Sequence, residues 1–194
     1  GVQTCALPIS GFLVIHAKHC PCPPIDEITI AGVKVGKSIK AKNIGVIFDS
    51  RMDLEQHIDH ICKMAFCHIR SLSRIRNCLS LKDMETLVHV FITTKLDNCN
   101  SLLAGLPQYL IDKLQRVHNA AGRVVFRTRK YDRITPVLMD LHWLPVKRRI
   151  SFKILLLTYK ALNALAPQYI SDMLMQYIPA RTLRSSNKQF LSLG

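Results

Sequence analysis

Apolar residues along this chain change their spacing near residue 50, and the change separates two kinds of predicted structure. Before it, the apolar runs Phe12–His16 and Lys42–Phe48 and the alternating segment Glu27–Val35 predict strands. Ala31-Gly32 interrupts the alternation and predicts a hairpin turn. After residue 50, apolar residues recur every three or four positions, which predicts helices. The pattern therefore predicts an α+β fold, mainly α, with a small N-terminal β part followed by an α-helical bundle.

The outer strands of the β part are unusually apolar for so small a sheet. Phe12–His16 and Lys42–Phe48 have the composition of strands with a neighbour on both sides. We therefore interpret the β part as the end of a sheet that belongs to a larger domain.

Start and stop signals divide the remainder into helices. Asp53 and Gln56 form a capping-box pair before the first helix, and Ser80 is the expected cap of the second. The later signals are a start near Pro107, a Thr135 cap followed by Pro136, a start at Pro145, a stop at Pro167 and a last helix over Tyr169–Gln176. The helical faces predict a core of Leu54, Ile58, Ile61, Ala65, Phe66, Ile69, Leu72, Ile75, Met84, Leu87, Val88, Phe91, Ile92, Leu110, Leu114, Val117, Ala121 and Val124.

The segment Leu141–Leu162 differs from the other helices because apolar residues nearly surround it. Such a helix is expected to be largely buried. Arg149, Lys153 and Lys160 fall within about 40° of one another on it, which gives one narrow cationic stripe. For Trp143, the chain's only tryptophan, core packing with a hydrogen-bonded N–H is favoured over base stacking.

Positive charge is the compositional outlier. The 194 residues include 27 Lys and Arg against 13 Asp and Glu, a formal net charge of +14. Eleven of these cations lie between Lys113 and Lys153, where the only acids are Asp132 and Asp140. Charge that is clustered in this way favours an anionic partner, nucleic acid before others.

Cysteine usage and hydropathy indicate a reduced compartment and no membrane span. Seven scattered cysteines resemble intracellular thiols more than a disulfide framework, so we expect a nuclear or cytoplasmic protein. No apolar run approaches the roughly 18 residues that span a bilayer. The cluster His16, His19, Cys20 and Cys22 lacks the spacing and the second pair of a zinc site, so no metal site is predicted.

Several segments, in order along the chain, resemble one family. They are KNIGVIFDSRMDLEQHI from Lys42, TKLDNCNSLLAGLP from Thr94 to Pro107, LQRVHNAAGRVV from Leu114, ITPVL from Ile134, LHWLPVKRRISFKILLLTYKALNALAPQYI from Leu141 and PARTLRSS from Pro179. Together they resemble the C-terminal region of open reading frames from LINE-type (non-LTR) retrotransposons, over roughly residues 11–186. Those frames encode an endonuclease followed by a reverse transcriptase.

The resemblance implies a division of the chain. Residues 11–50 are expected to be the end of the reverse-transcriptase palm with a primer-grip-like hairpin, formed by Asn43, Ile44 and Gly45, where Ile44 replaces the usual Leu. Residues 51–130 are expected to be a thumb-like bundle, residues 131–177 a C-terminal helical region and residues 178–194 a basic flexible tail. Residues 1–10 are expected to be disordered and adaptor-derived, because GVQTCALPI is the translation of a common sequencing adaptor.

The catalytic carboxylates of that family are missing. Its polymerases hold Mg²⁺ on a paired aspartate motif and a third aspartate. Here all ten aspartates are isolated and no Asp-Asp dipeptide occurs. We therefore expect no catalytic residue, no metal ligand and no cofactor in this chain, which alone is predicted to be inactive as a polymerase.

What the resemblance leaves is nucleic-acid binding. We expect contact with the phosphates of an RNA–DNA or DNA duplex, alongside the missing palm and fingers of the parent polymerase and without a membrane partner. The candidate residues are Lys113, Arg116, Arg123, Arg127 and Lys130, predicted to lie within about 100° of arc on one helix, and Lys147, Arg148, Arg149 and Lys153. Two alternatives remain open: a non-enzymatic basic helical module that binds an acidic protein or membrane surface, and a decayed element fragment without selected function.

Overall fold

The computed structural model describes residues 11–17, 20, 23–30, 32–176, 181 and 191–193. Short antiparallel hairpins precede a helical region, so the fold is α+β and mainly α, as predicted. Its contacts divide the chain into two compact units, Gly1–Val146 and Lys147–Gly194. Residues 1–10, with the predicted adaptor-derived segment, lie outside the described residues.

Two hairpins form the β part of the first unit. Strand β1 (Glu27–Ile30) pairs with β2 (Val33–Gly36), which confirms the predicted hairpin, and Gly32 takes a positive φ of 80° in its turn. Strand β3 (Lys40–Asn43) pairs with β4 (Val46–Asp49). The prediction of one continuous strand over residues 42–48 is therefore wrong, because the chain reverses between Asn43 and Val46.

The predicted strand at Phe12–His16 is also wrong. Phe12 makes one isolated parallel bridge to Lys37, and residues 13–17 belong to no strand. Among the described residues, each hairpin is a two-stranded sheet of its own. Isolated hairpins of this size are marginal in water, so they depend on the helices they pack against. Strand β4 has such contacts with the helix that follows it.

That helix, α1 (Glu55–Ile75), begins without the predicted capping box. Leu54 stands at its N-cap in the left-handed region, with φ of 54°, and makes no side-chain cap. The Asp49 carboxylate accepts hydrogen bonds from the backbone N–H groups of Asp53 at 3.0 Å and Leu54 at 2.9 Å instead. The cap prediction at Asp53 is wrong because the helix begins one residue later, after Asp49 has fixed the backbone of the two residues that precede it.

The remaining helices of the first unit follow the predicted boundaries with small shifts. Helix α2 (Leu81–Val88) begins at Ser80, whose Oγ accepts from Asp83 N at 3.1 Å, as predicted. A π-helical segment (His89–Thr93) joins it to α3 (Thr94–Asp97). Helix α4 (Gln108–Phe126) starts directly after Pro107, as predicted. Helix α5 (Thr135–Asp140) has Ile134 at its N-cap, so Thr135 is its first residue and not its cap.

Helices α1 and α4 pack side by side in parallel. At their N-terminal ends Lys113 Nζ lies 2.7 Å from Asp59 Oδ1, and at their C-terminal ends Arg76 Nη2 lies 2.7 Å from Val125 O. The intervening α2, the π segment and α3 run back between these ends. The chain therefore runs up, down and up again, and α1 and α4 make the most extensive contact of any two helices in the described chain.

Side chains from α1, from the segment between α2 and α3 and from α4 form the core. The fully buried members include Ile58, Met84, Val88, Ile92, Leu110, Leu114 and Val117, all of which the periodicity predicted. Ile75 and Phe91 are exceptions that remain exposed. At the end of α4 the buried residue is Val125, whereas the neighbouring Val124 is only half-buried.

The second unit contains most of helix α6 (Val146–Leu162), then α7 (Gln168–Ser171) and a strand pair, β5 (Leu174–Gln176) with β6 (Leu191–Leu193). The predicted helix over residues 169–176 is therefore wrong at its end, and the predicted flexible tail contributes a strand. The expectation that α6 is largely buried is also wrong: Phe152, Leu155 and Tyr159 are 57%, 68% and 59% exposed. Across the described residues, no helix combines the length and hydropathy that a bilayer span requires.

Candidate nucleic-acid interface

The β3–β4 turn projects the predicted primer-grip-like residues into solvent. Ile44 and Gly45 form a two-residue turn with positive φ at both positions, 48° and 83°. Ile44 is 80% exposed, and its left-handed backbone is unusual for a β-branched residue. A Cβ on Gly45 would lie 3.2 Å from Asn98 Nδ2, so this glycine permits both the turn and a close approach to the end of α3.

A cavity of about 190 Å³ lies beside this turn. Its polar lining comes from three elements, β3, α1 and α3, and consists of Lys42, His57, His60, His68, Lys95 and Asn98. Ile61 and Met64 supply apolar wall. All the titratable groups that line it are therefore basic, and none is a carboxylate.

His57 is the buried member of this cavity. Its Nδ1 accepts a hydrogen bond from Ile47 N at 3.3 Å, so the neutral ring carries its proton on Nε2. Burial, followed by the positive charge of His60, holds the pKa of His57 below its usual value. His68 is held differently, by stacking on Phe91 with 5.3 Å between ring centroids.

On α4, the first predicted phosphate contact is committed to acids of the same unit. Lys113 Nζ lies 2.7 Å from Asp59 Oδ1 and 3.4 Å from Glu55 Oε1, both on α1. The hydrogen bond to Asp59 is the main reason that the pKa of Lys113 is raised. Local acids therefore offset much of the charge that Lys113 would present to a phosphate.

Two further cations of the predicted stripe donate to backbone carbonyls. Arg127 stands just beyond α4 with a positive φ of 56°, and its Nη2 donates to Arg76 O at 3.2 Å. Arg123 is half-buried and donates through Nη2 to Asp132 O at 3.3 Å. The predicted single stripe is also shorter than expected, because α4 ends at Phe126 and leaves Arg127 and Lys130 off the helix.

Arg76, which the sequence did not single out, completes this arrangement. Its guanidinium donates to the carbonyls of Val124 at 3.0 Å and Val125 at 2.7 Å, at the C-terminal end of α4. It also donates to Leu79 O at 3.0 Å. Arg76 and Arg127 therefore cap each other's helix ends, which is a structural role for both.

Besides Arg127, the predicted contacts that face solvent are Arg116, Lys130, Lys147, Arg148 and Lys153. Among the described ion pairs, none involves these five side chains. Arg149 is only half-exposed, and Lys130 Nζ lies 5.9 Å from the centroid of the Tyr131 ring. Exposed cations without a local acid are the form in which a surface attracts phosphates.

Trp143 belongs to the interior of the first unit. It is 6% exposed, and its ring contacts His118 and His89 with centroid distances of 5.1 and 5.3 Å. Core packing is therefore confirmed. The expected hydrogen bond from its N–H is not, since buried Nε1 has no partner within the described structure.

Histidine, cysteine and carboxylate groups do not converge on a metal position in the described part of the chain. His19 and Cys22 of the cluster considered from the sequence lie outside the described residues. The cavity beside the turn was missed from the sequence, although its signals are present: His57, His60 and His68 share one side of a helix. No family model, curated protein or solved structure matches this chain.

Proposed function

We propose that this chain is a fragment related to LINE-type reverse transcriptases that binds a template–primer or similar duplex through phosphates, without polymerase activity of its own. The observation that carries the binding is the set of exposed cations Arg116, Lys130, Lys147, Arg148 and Lys153, for which no described acid is an ion-pair partner. The ordered sequence resemblance supplies the family. The absence of an Asp-Asp pair from the sequence supports the lack of polymerase activity.

The exposed apolar residues of the β part support a missing domain as a further partner. Val33 and Ile44 are 63% and 80% exposed on the two hairpins, and Ile39 between the hairpins is 80% exposed. β-branched residues of this kind ordinarily pack against a neighbouring layer. We propose that the palm and fingers of a parent polymerase would cover them.

Fluorescence anisotropy with a labelled RNA–DNA hybrid tests the binding proposal. Affinity should fall steeply between about 50 and about 200 mM salt, because each neutralised phosphate releases counterions. The double variant Arg116→Gln/Arg148→Gln should lower the slope of log affinity against log salt by about 2. Lys113→Gln removes a charge that Asp59 and Glu55 already offset, so it is the matched control and should change the slope far less.

Other outcomes would separate the alternatives. Binding to anionic vesicles or to a polyglutamate chain, but not to the hybrid at low salt, would favour a basic interaction module and end the nucleic-acid proposal. No affinity for any polyanion would agree with a decayed fragment. Primer extension by the purified chain with Mg²⁺ would contradict the proposed lack of polymerase activity.

A further inference from the structure

The cavity beside the Ile44-Gly45 turn has the chemistry of an oxyanion site. Two lysines and three histidines from β3, α1 and α3 line it, together with the Asn98 amide. Every one of these side chains is a hydrogen-bond donor in at least one protonation state. A cavity of about 190 Å³ is large enough for one tetrahedral oxyanion.

The carboxylates on the neighbouring elements are not part of the lining of this cavity. Asp49 accepts three backbone N–H groups around the start of α1. Asp59 and Glu55 face Lys113 on α4. Asp97 on α3 accepts from Asn100 Nδ2 at 3.4 Å and is not part of the lining.

We propose that this cavity binds one phosphate group, with Lys42 and Lys95 supplying positive charge and His60 and His68 supplying ring N–H donors. His57 contributes as a neutral donor, because its Nδ1 is held by Ile47 N and its remaining proton lies on Nε2. Asn98 and the backbone around Gly45 close the side next to the turn. The bound phosphate is either a free oxyanion or one phosphodiester of a nucleic-acid strand; the latter source rests on the proposed function.

Histidine imidazole signals report directly on this cavity. With histidine labelled by ¹³C, the resonances of His57, His60 and His68 are followed during titration with sulfate at constant ionic strength, and separately with a twelve-nucleotide oligo(dT). Sulfate should bind saturably and shift the resonances of the histidines that line the cavity.

Two lysine variants provide the contrast. Lys95→Gln removes a lining cation and should weaken sulfate binding about tenfold, the usual cost of a hydrogen bond to a charged group. Lys63→Gln removes an exposed lysine from α1 that does not line the cavity, and should leave the affinity unchanged. Both positions are exposed, so neither change threatens folding.

The outcomes separate this inference from the proposed function. Saturable shifts with sulfate support the site with a free oxyanion as ligand, whatever the hybrid-binding result. Shifts with oligo(dT) alone support it with a strand phosphodiester as ligand. Unmoved histidine signals in both titrations, or equal loss in both lysine variants, overturn it, even if anisotropy shows that the chain binds the hybrid.

Discussion

Among the charged side chains, Arg76 is the one whose replacement should lower the stability of the fold most. Arg76→Met keeps the apolar stem but removes donors to three backbone carbonyls, those of Val124, Val125 and Leu79. A hydrogen bond to a charged group contributes about 1.5–3 kcal/mol, and an unpartnered buried carbonyl has its own cost. Because one guanidinium makes all three contacts, their energies overlap, and we expect a total loss of about 2–4 kcal/mol.

Equilibrium urea unfolding measures this loss as a lower midpoint at an unchanged slope. A loss of that size is a large part of the roughly 5–15 kcal/mol that stabilises an ordinary domain. Arg74→Met is the matched control: it removes the same charge two residues earlier on α1, from an exposed side chain. If the two variants lost the same stability, or if Arg76→Met lost less than about 0.5 kcal/mol, the capping argument would be refuted.

Three further predictions concern the turn, the buried histidine and the core. Ile44→Asn should raise stability by about 1 kcal/mol in the same urea assay, because Asn tolerates the left-handed turn that strains Ile44; an unchanged or lower midpoint would contradict it. Because the pKa of His57 is lowered in the folded protein, the unfolded chain gains this proton at a higher pH than the folded chain does. The stability that neutral His57 contributes above about pH 6.5 is therefore lost as the pH falls through its folded-state pKa. His57→Gln should flatten urea midpoints between pH 8 and pH 5.5, and an equally steep decline in both proteins would refute this. Leu114→Ala should cost about 2–5 kcal/mol, as its side chain is fully buried, whereas an exposed-site change such as Leu81→Ala should cost much less.

The helical faces were predictable because their signal repeats. Ile58, Leu114 and Val117 each belong to an apolar pattern that spans several helical turns. A long pattern remains recognisable even when single positions depart from it. The β part offered no such length. A run of seven residues from Lys42 to Phe48 fits one strand or two, and the choice depends on Ile44 and Gly45 taking positive φ, which the apolar pattern does not encode.

The start of α1 shows why local rules fail next to tertiary contacts. Asp53 and Gln56 have the capping-box spacing, yet the Asp49 carboxylate at the end of β4 accepts from the backbone N–H groups of Asp53 and Leu54. The helix therefore begins at Glu55, with Leu54 and not Asp53 at its N-cap. The hairpin brings Asp49 into place, so these two hydrogen bonds depend on the β3–β4 pairing.

The cations divide into two groups that the sequence cannot separate, and the division decides how binding experiments are read. Arg76, Arg123 and Arg127 donate to backbone carbonyls. Two of the carbonyls that accept from Arg76, those of Val124 and Val125, lie almost fifty positions away in the chain. Arg116 and Arg148 are exposed, and none of the described ion pairs includes them. Weaker nucleic-acid binding after a change in the first group would follow from a loosened helix end, and urea unfolding would detect it. Only at exposed cations does a change in the salt slope without a change in stability report contact with phosphate.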